Sequence, residues 1–197
     1  METIVDQLKT VNSKSFLNEI KNPENITNLI LKNFNNETNW EELNKFTKLK
    51  EIQLENCLID KNIFFKTISK IESLNILKYD YDCVIKKSDT KINIKIPQLN
   101  KVIFVFPDEQ TPDLSMLDLY DRQYEINNFI TSFPSYPNAY LGLNEIELVN
   151  YDIFLKNLKE KDYDYGYSEI YEGKDIFFQC DIYNLLRLKN LKNIQLT

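Results

Sequence analysis

The chain has 197 residues, 43% of them hydrophobic and 13% aromatic, with a formal net charge of −6 and no histidine. That length fits one domain with its own core, and the apolar share excludes a disordered chain. Arg122 and Arg187 are the only arginines of an acidic chain, so phosphate neutralisation is poorly served; the expected partner is a protein with a basic surface, not nucleic acid.

Residues 1–25 place Ile4, Leu8 and Val11 at helical spacing, followed by Phe16, Leu17 and Ile20. This predicts an N-terminal helical cap that ends at Pro23. Glu2 and Asp6 stand where a signal peptide would be basic, and the longest purely apolar run is Val102 to Phe106. No membrane span is expected, and the anticipated setting is cytoplasmic.

From residue 26 one spacing recurs. Ile26, Leu29, Leu31 and Phe34 are matched by Leu49, Ile52, Leu54 and Cys57. Leu74, Leu77 and Tyr79 follow, then Leu99, Val102 and Phe104, then Leu143, Ile146, Leu148, Tyr151 and Ile153, and finally Leu191, Ile194 and Leu196. The starts at 26, 49, 74 and 99 lie 23, 25 and 25 residues apart. In full, Leu49–Ile59 reads L-x-x-L-x-L-x-x-C-x-I, which resembles the leucine-rich-repeat signature at every fixed position. The resemblance implies an α/β fold: a leucine-rich-repeat-like solenoid with a mostly parallel sheet and convex-side helices. It covers roughly residues 26–106 and 143–197. The expected organisation is a cap over 1–25 and an irregular repeat domain over 26–197, with an insertion at 107–142.

Between the strands, residues 60–73 place Phe64, Ile68 and Ile71 on one helical face behind Asp60 as N-cap. Shorter helices are expected at 154–161 and 182–189. In 83–96, Ile92, Ile94 and Ile96 alternate, which predicts an extra strand or hairpin arm. Pro107, Pro112, Pro134 and Pro137 frame the insertion, where Leu117, Tyr120 and Tyr124 have helical spacing. A loop at 162–173 precedes a strand-like run at 175–180.

Chemistry-bearing patterns are sparse. Without histidine there is no Ser-His-Asp or Cys-His arrangement and no imidazole ligand for zinc. Gly142, Gly166 and Gly173 are isolated, so no phosphate-binding glycine loop exists. No cofactor is expected. Asp113, Asp118 and Asp121 match no calcium loop and read as a solvated helix face. The cysteines share a local pattern, Cys57-x-Ile59, Cys83-x-Ile85 and Cys180-x-Ile182. It reads as one buried slot used in successive turns, with free thiols, in preference to a metal or redox cluster.

The candidate binding residues are those between the core positions of each strand. They include Glu51, Gln53, Glu55, Ile76, Lys78, Lys101, Ile103, Glu145 and Glu147, with Tyr81 and Phe106 one step further on. The pattern predicts an apolar centre (Ile76, Tyr81, Ile103, Val105 and Phe106) inside an acidic rim, as interfaces are commonly built. The competing reading is that 107–142 covers the strand 99–106, which is apolar on both faces. Tyr163, Tyr165 and Tyr167 in the acidic loop 162–173 form a second candidate surface for a basic partner, against the alternative of a surface loop with some tyrosines packed beneath.

Three functions follow from these readings. The first is a non-catalytic protein–protein interaction module that binds through its concave sheet face. The second is a small acidic immunity or inhibitor protein that neutralises a toxin enzyme. The third is a carboxylate-dependent hydrolase, which would need two carboxylates at catalytic separation.

Overall fold

The computed structural model describes residues 2–6, 20–35, 38–80, 83–86, 96–106, 144–150 and 192–197. In chain order these form β1 (Glu2–Asp6), β2 (Asn28–Lys32), β3 (Glu51–Glu55), β4 (Leu58–Asp60), α1 (Lys61–Ile68), β5 (Ile76–Asp80), β6 (Val84–Lys86), β7 (Lys101–Val105), β8 (Glu145–Val149) and β9 (Asn193–Leu196). Two short 3-10 helices, Pro23–Asn25 and Trp40–Lys45, complete the set. The protein is α/β. An open sheet runs in the order β1-β2-β3-β5-β7-β8-β9, and every neighbouring pair in it is parallel. A second sheet pairs β4 with β6, also in parallel.

The alternation within each strand explains this arrangement. Leu29 and Leu31, Ile52 and Leu54, Leu77 and Tyr79, Val102 and Phe104, and Ile146 and Leu148 all point to one side and are buried. Their intervening neighbours from β2 to β8 are half-buried on the other side. A parallel strand can return to the same sheet edge only through a crossover, and the crossovers bring their own apolar side chains to the buried side. Trp40 of the β2–β3 crossover meets Phe64 of α1 edge to face, with ring centroids 5.1 Å apart. Phe34 and Phe65 extend this aromatic row.

Strand entry follows one rule. Ile26, Leu49, Leu74 and Leu99 are fully buried, and each donates its amide to the carbonyl three residues back, on Pro23, Phe46, Ile71 and Ile96. One residue before the next strand begins, a single carbonyl accepts two amides from the neighbouring chain segment. Thr27, Lys50, Asn75, Asn100 and Asn144 are these acceptors, at 2.7–3.2 Å. The predicted starts at 26, 49, 74 and 99 are therefore equivalent points in space.

Strand exit follows another. Asn33, Asn56 and Asn150, each directly after a strand, have φ of 61°, 48° and 61°. This is the left-handed region that asparagine tolerates better than other residues bearing a β-carbon. Asn56 donates a side-chain hydrogen bond to Asn33 (2.7 Å), and Asn33 donates one to Asp6 (2.8 Å). The turn sends the next side chain inward, so Phe34 and Cys57 are buried.

α1 begins as expected. The Asp60 carboxylate accepts from the Ile63 amide at 3.1 Å, and Phe64, Ile68 and Ile71 are buried. Just past its end the Gln98 amide donates to the carbonyls of Ile68, Ser69 and Ile71 and ties the turn after the helix to the next strand entry.

The N-terminal expectation needs correction. Glu2–Asp6 is an edge strand in register with β2, not part of a helical cap. Val5 enters the core as the counterpart of Leu31, while Ile4 lies on the opposite face and is 57% exposed. An apolar residue on the outer side conceals a period-two pattern; residues 7–19, which carry Leu8, Val11, Phe16 and Leu17 of the expected cap, lie outside the described residues. Within the segment 83–96, β6 lies parallel to β4, with Ile59 opposite Ile85, while the alternation that predicted a strand, Ile92 and Ile94 before Ile96, falls on residues 87–95, outside the described residues. The expected insertion 107–142, the helices at 154–161 and 182–189 and the strand-like run 175–180 lie outside the described residues.

The exit turns yield a stability prediction. Asn56→Gly should change unfolding free energy by no more than about 0.5 kcal/mol, because glycine accepts the left-handed backbone. Asn56→Val should cost about 1–2 kcal/mol, since Asn56 is exposed and the loss is mainly backbone strain. Urea unfolding of the two variants measures the difference, and equal midpoints would refute it.

Candidate partner-binding face

The register turns separate strands into lateral rows. One row runs Asn28, Glu51, Ile76, Lys101, Glu145 and Asn193. The next runs Ile4, Ile30, Gln53, Lys78, Ile103, Glu147 and Gln195. A third has Asp6 opposite Lys32, Lys32 opposite Glu55, and Asp80, Val105 and Val149 further along. Nine of the proposed binding residues, Glu51, Gln53, Glu55, Ile76, Lys78, Lys101, Ile103, Glu145 and Glu147, therefore share one face of one sheet. Tyr81, Tyr163, Tyr165 and Tyr167 lie outside the described residues.

Polar contacts tie neighbouring strands together across this face. Lys32 pairs with Glu55 at 2.5 Å, and the Gln53 amide donates to the same carboxylate at 2.6 Å. Asn28 donates to Glu51 at 3.2 Å. Lys101 lies 2.7 Å from both Glu145 and Glu147, and the Thr197 hydroxyl donates to Glu147 at 3.1 Å. Hydrogen bonding to these two carboxylates raises the Lys101 pKa above its ordinary value. The same bond from Lys101, aided by Thr197, holds the Glu147 carboxyl below its usual range.

Two expectations change. Phe106 is not on the face: it is 4% exposed and belongs to the core. Apolar and charged residues are interleaved, not arranged as an apolar centre within an acidic rim. Ile76 is opposite Lys101, and Ile103 lies between Lys78 and Glu147, while Val105 and Val149 form a purely apolar pair. Glu145 and Glu147 are occupied in clamping Lys101. The face also has members that were missed. Ile4 and Asp6 extend it by one strand, and the signal was Thr3-x-Val5, a weak version of Leu29-x-Leu31.

Asp6, Glu51, Glu55, Asp80, Glu145 and Glu147 outnumber Lys32, Lys78 and Lys101 on this face. It is a negatively biased surface with an apolar component. Among the described residues, no helix is long and apolar enough to cross a membrane. Comparison with known proteins finds no matching family model, no matching curated protein and no matching solved structure.

The Lys101 clamp makes stability depend on pH at both ends. Glu147 has a depressed pKa when folded, so its contribution is present above the ordinary carboxylate range and is lost as pH falls through the folded value. Lys101 has a raised pKa, so its contribution is present below the ordinary lysine value and is lost as pH rises through the folded one. Glu147→Gln should therefore lower stability at neutral pH by about 0.5–1 kcal/mol, the scale of a solvent-screened pair. The gap to wild type should close in acid. Chemical denaturation at a series of pH values measures it, and a gap independent of pH would refute the assignment.

Proposed function

We propose that this chain is a leucine-rich-repeat-like solenoid that acts without catalysis, binding a basic partner protein through the outward, concave face of its parallel sheet. The recurring entry bonds at Thr27, Lys50, Asn75, Asn100 and Asn144 support the solenoid reading, because each crossover returns to the same point in the pattern. The observation that carries the binding reading is the in-register face itself. Of its seven adjacent strands, β1, β3, β5 and β8 present acids, and apolar side chains lie beside them on the same face, a combination that supplies steering charge and desolvated contact together. A basic toxin enzyme is a narrower form of the same partner, favoured by the same acidic surplus, since opposite charge raises the association rate of an inhibitor.

An affinity pull-down from the source cells, with partners identified by mass, supplies the ligand for the test. Glu51→Lys combined with Glu55→Lys should leave the circular dichroism and melting curve close to wild type. The variant should bind the captured partner at least about tenfold more weakly and with a shallower salt dependence. Unchanged affinity in the folded double variant would overturn the assignment of this face.

A further inference from the structure

Two thiols meet where the chain turns from the large sheet into the small one. Cys57 directly precedes β4 and Cys83 precedes β6, and the register places Leu58 opposite Val84. Cys57 and Cys83 are therefore lateral neighbours on parallel segments. Paired strands lie about 4.8 Å apart, within the roughly 4.4–6.8 Å between α-carbons that a disulfide spans. The Cys57 amide donates to the Cys83 sulfur at 3.3 Å. The Cys57 thiol donates to the carbonyls of Leu31 (3.3 Å) and Glu55 (3.2 Å). Each residue is 1% exposed.

We propose that Cys57 and Cys83 are a reversible dithiol–disulfide site, oxidised by a peroxide. The surroundings give the sulfurs different roles. The neighbouring Cys83 side chain holds the Cys57 thiol below its ordinary pKa, while burial pushes Cys83 well up. Cys57 is thus the sulfur that reacts first, as thiolate, and Cys83 keeps its proton. Cys57 attacks one peroxide oxygen and the O–O bond breaks. The departing hydroxide takes up the proton Cys57 has released, which leaves a sulfenic acid and one water. The Cys83 sulfur then attacks the Cys57 sulfur. The S–O bond breaks, and the hydroxide leaves with the Cys83 proton as a second water. Two thiols and one hydrogen peroxide become one disulfide and two waters, and a dithiol reductant reverses the change. With each residue 1% exposed, the peroxide reaches the pair when these segments open locally. The bond would link the segments that follow β3 and β5 from the core side and leave the outward residues untouched, so the proposal does not depend on the binding reading.

The test uses the full chain, reduced and then exposed to stoichiometric hydrogen peroxide. Free thiols are alkylated, and the protein is digested without reduction for peptide mass analysis. The expected product is a monomer with the circular dichroism of the reduced chain. Its Cys57 and Cys83 peptides should be joined, lighter by two hydrogens than the separate pair, and released by dithiothreitol. A chain carrying Cys180→Ser should give the same cross-link. The proposal is overturned if Cys57 and Cys83 both remain alkylatable, if either pairs with Cys180 or another chain, or if Cys57 proceeds to sulfinic acid without the cross-link.

Discussion

The described fold depends on one repeated constraint: a single carbonyl at each strand entry binds two amides of the next segment. Thr27, Lys50, Asn75, Asn100 and Asn144 perform this task. Since side chains alternate along a strand, a one-residue slip in any pair would turn core positions outward and send charged neighbours into the apolar layer. Ile52, for example, would exchange places with Glu51 or Gln53. The double acceptor prevents this by fixing where each strand starts. The buried residue just before the acceptor, Leu49 ahead of the third strand, then has to lie in the core.

At the opposite end of the strands the constraint is conformational. A left-handed residue turns the chain out of the strand, and Asn33, Asn56 and Asn150 meet that need while their side chains bridge to neighbouring segments. The bridge matters because a turn that exposes its polar groups to one side and buries Phe34 or Cys57 on the other needs both sides satisfied. Cys57 achieves this with a weak thiol donor placed against the Leu31 and Glu55 carbonyls. Tyr79 achieves something similar by carrying a hydroxyl from a buried ring to the Cys83 carbonyl at 2.8 Å. At these two positions a polar atom enters the core where a backbone group awaits it.

How far these features can be read from the chain depends on the range of the interactions. Leu49, Ile52, Leu54, Cys57 and Ile59 are all buried as their spacing indicates, because alternation and the entry turn are local. The helix after Asp60 is legible for the same reason, since its cap lies three residues from the Ile63 amide that donates to it. The first strand is not, because Thr3 offers little apolar signal and Ile4 sits on the outer face. The asparagine after β2, β3 and β8 is visible as Asn-Phe, Asn-Cys and Asn-Tyr, but only a positive φ explains why that residue recurs there. The Lys101 clamp lies at the far end of this scale. Its carboxylates are more than forty positions away in the chain, so the contact exists only once β7 and β8 are paired.

That clamp also alters how the outward face works. Single side chains at the edge of an apolar patch would be available to a partner without cost. Here Lys101 and Lys32 each hold acids of the neighbouring strand, so a cationic partner that engages Glu55, Glu145 or Glu147 must compete with a contact already made. Competition of this kind weakens binding by any single positive charge. It favours a partner whose several cations match the spacing of the rows, and for such a partner Ile76, Ile103, Val105 and Val149 lie between the charges as apolar contact. In the proposed binding, selectivity would rest on the register of the sheet more than on the number of acids, because only a fixed array can require that several charges and apolar groups fit at once.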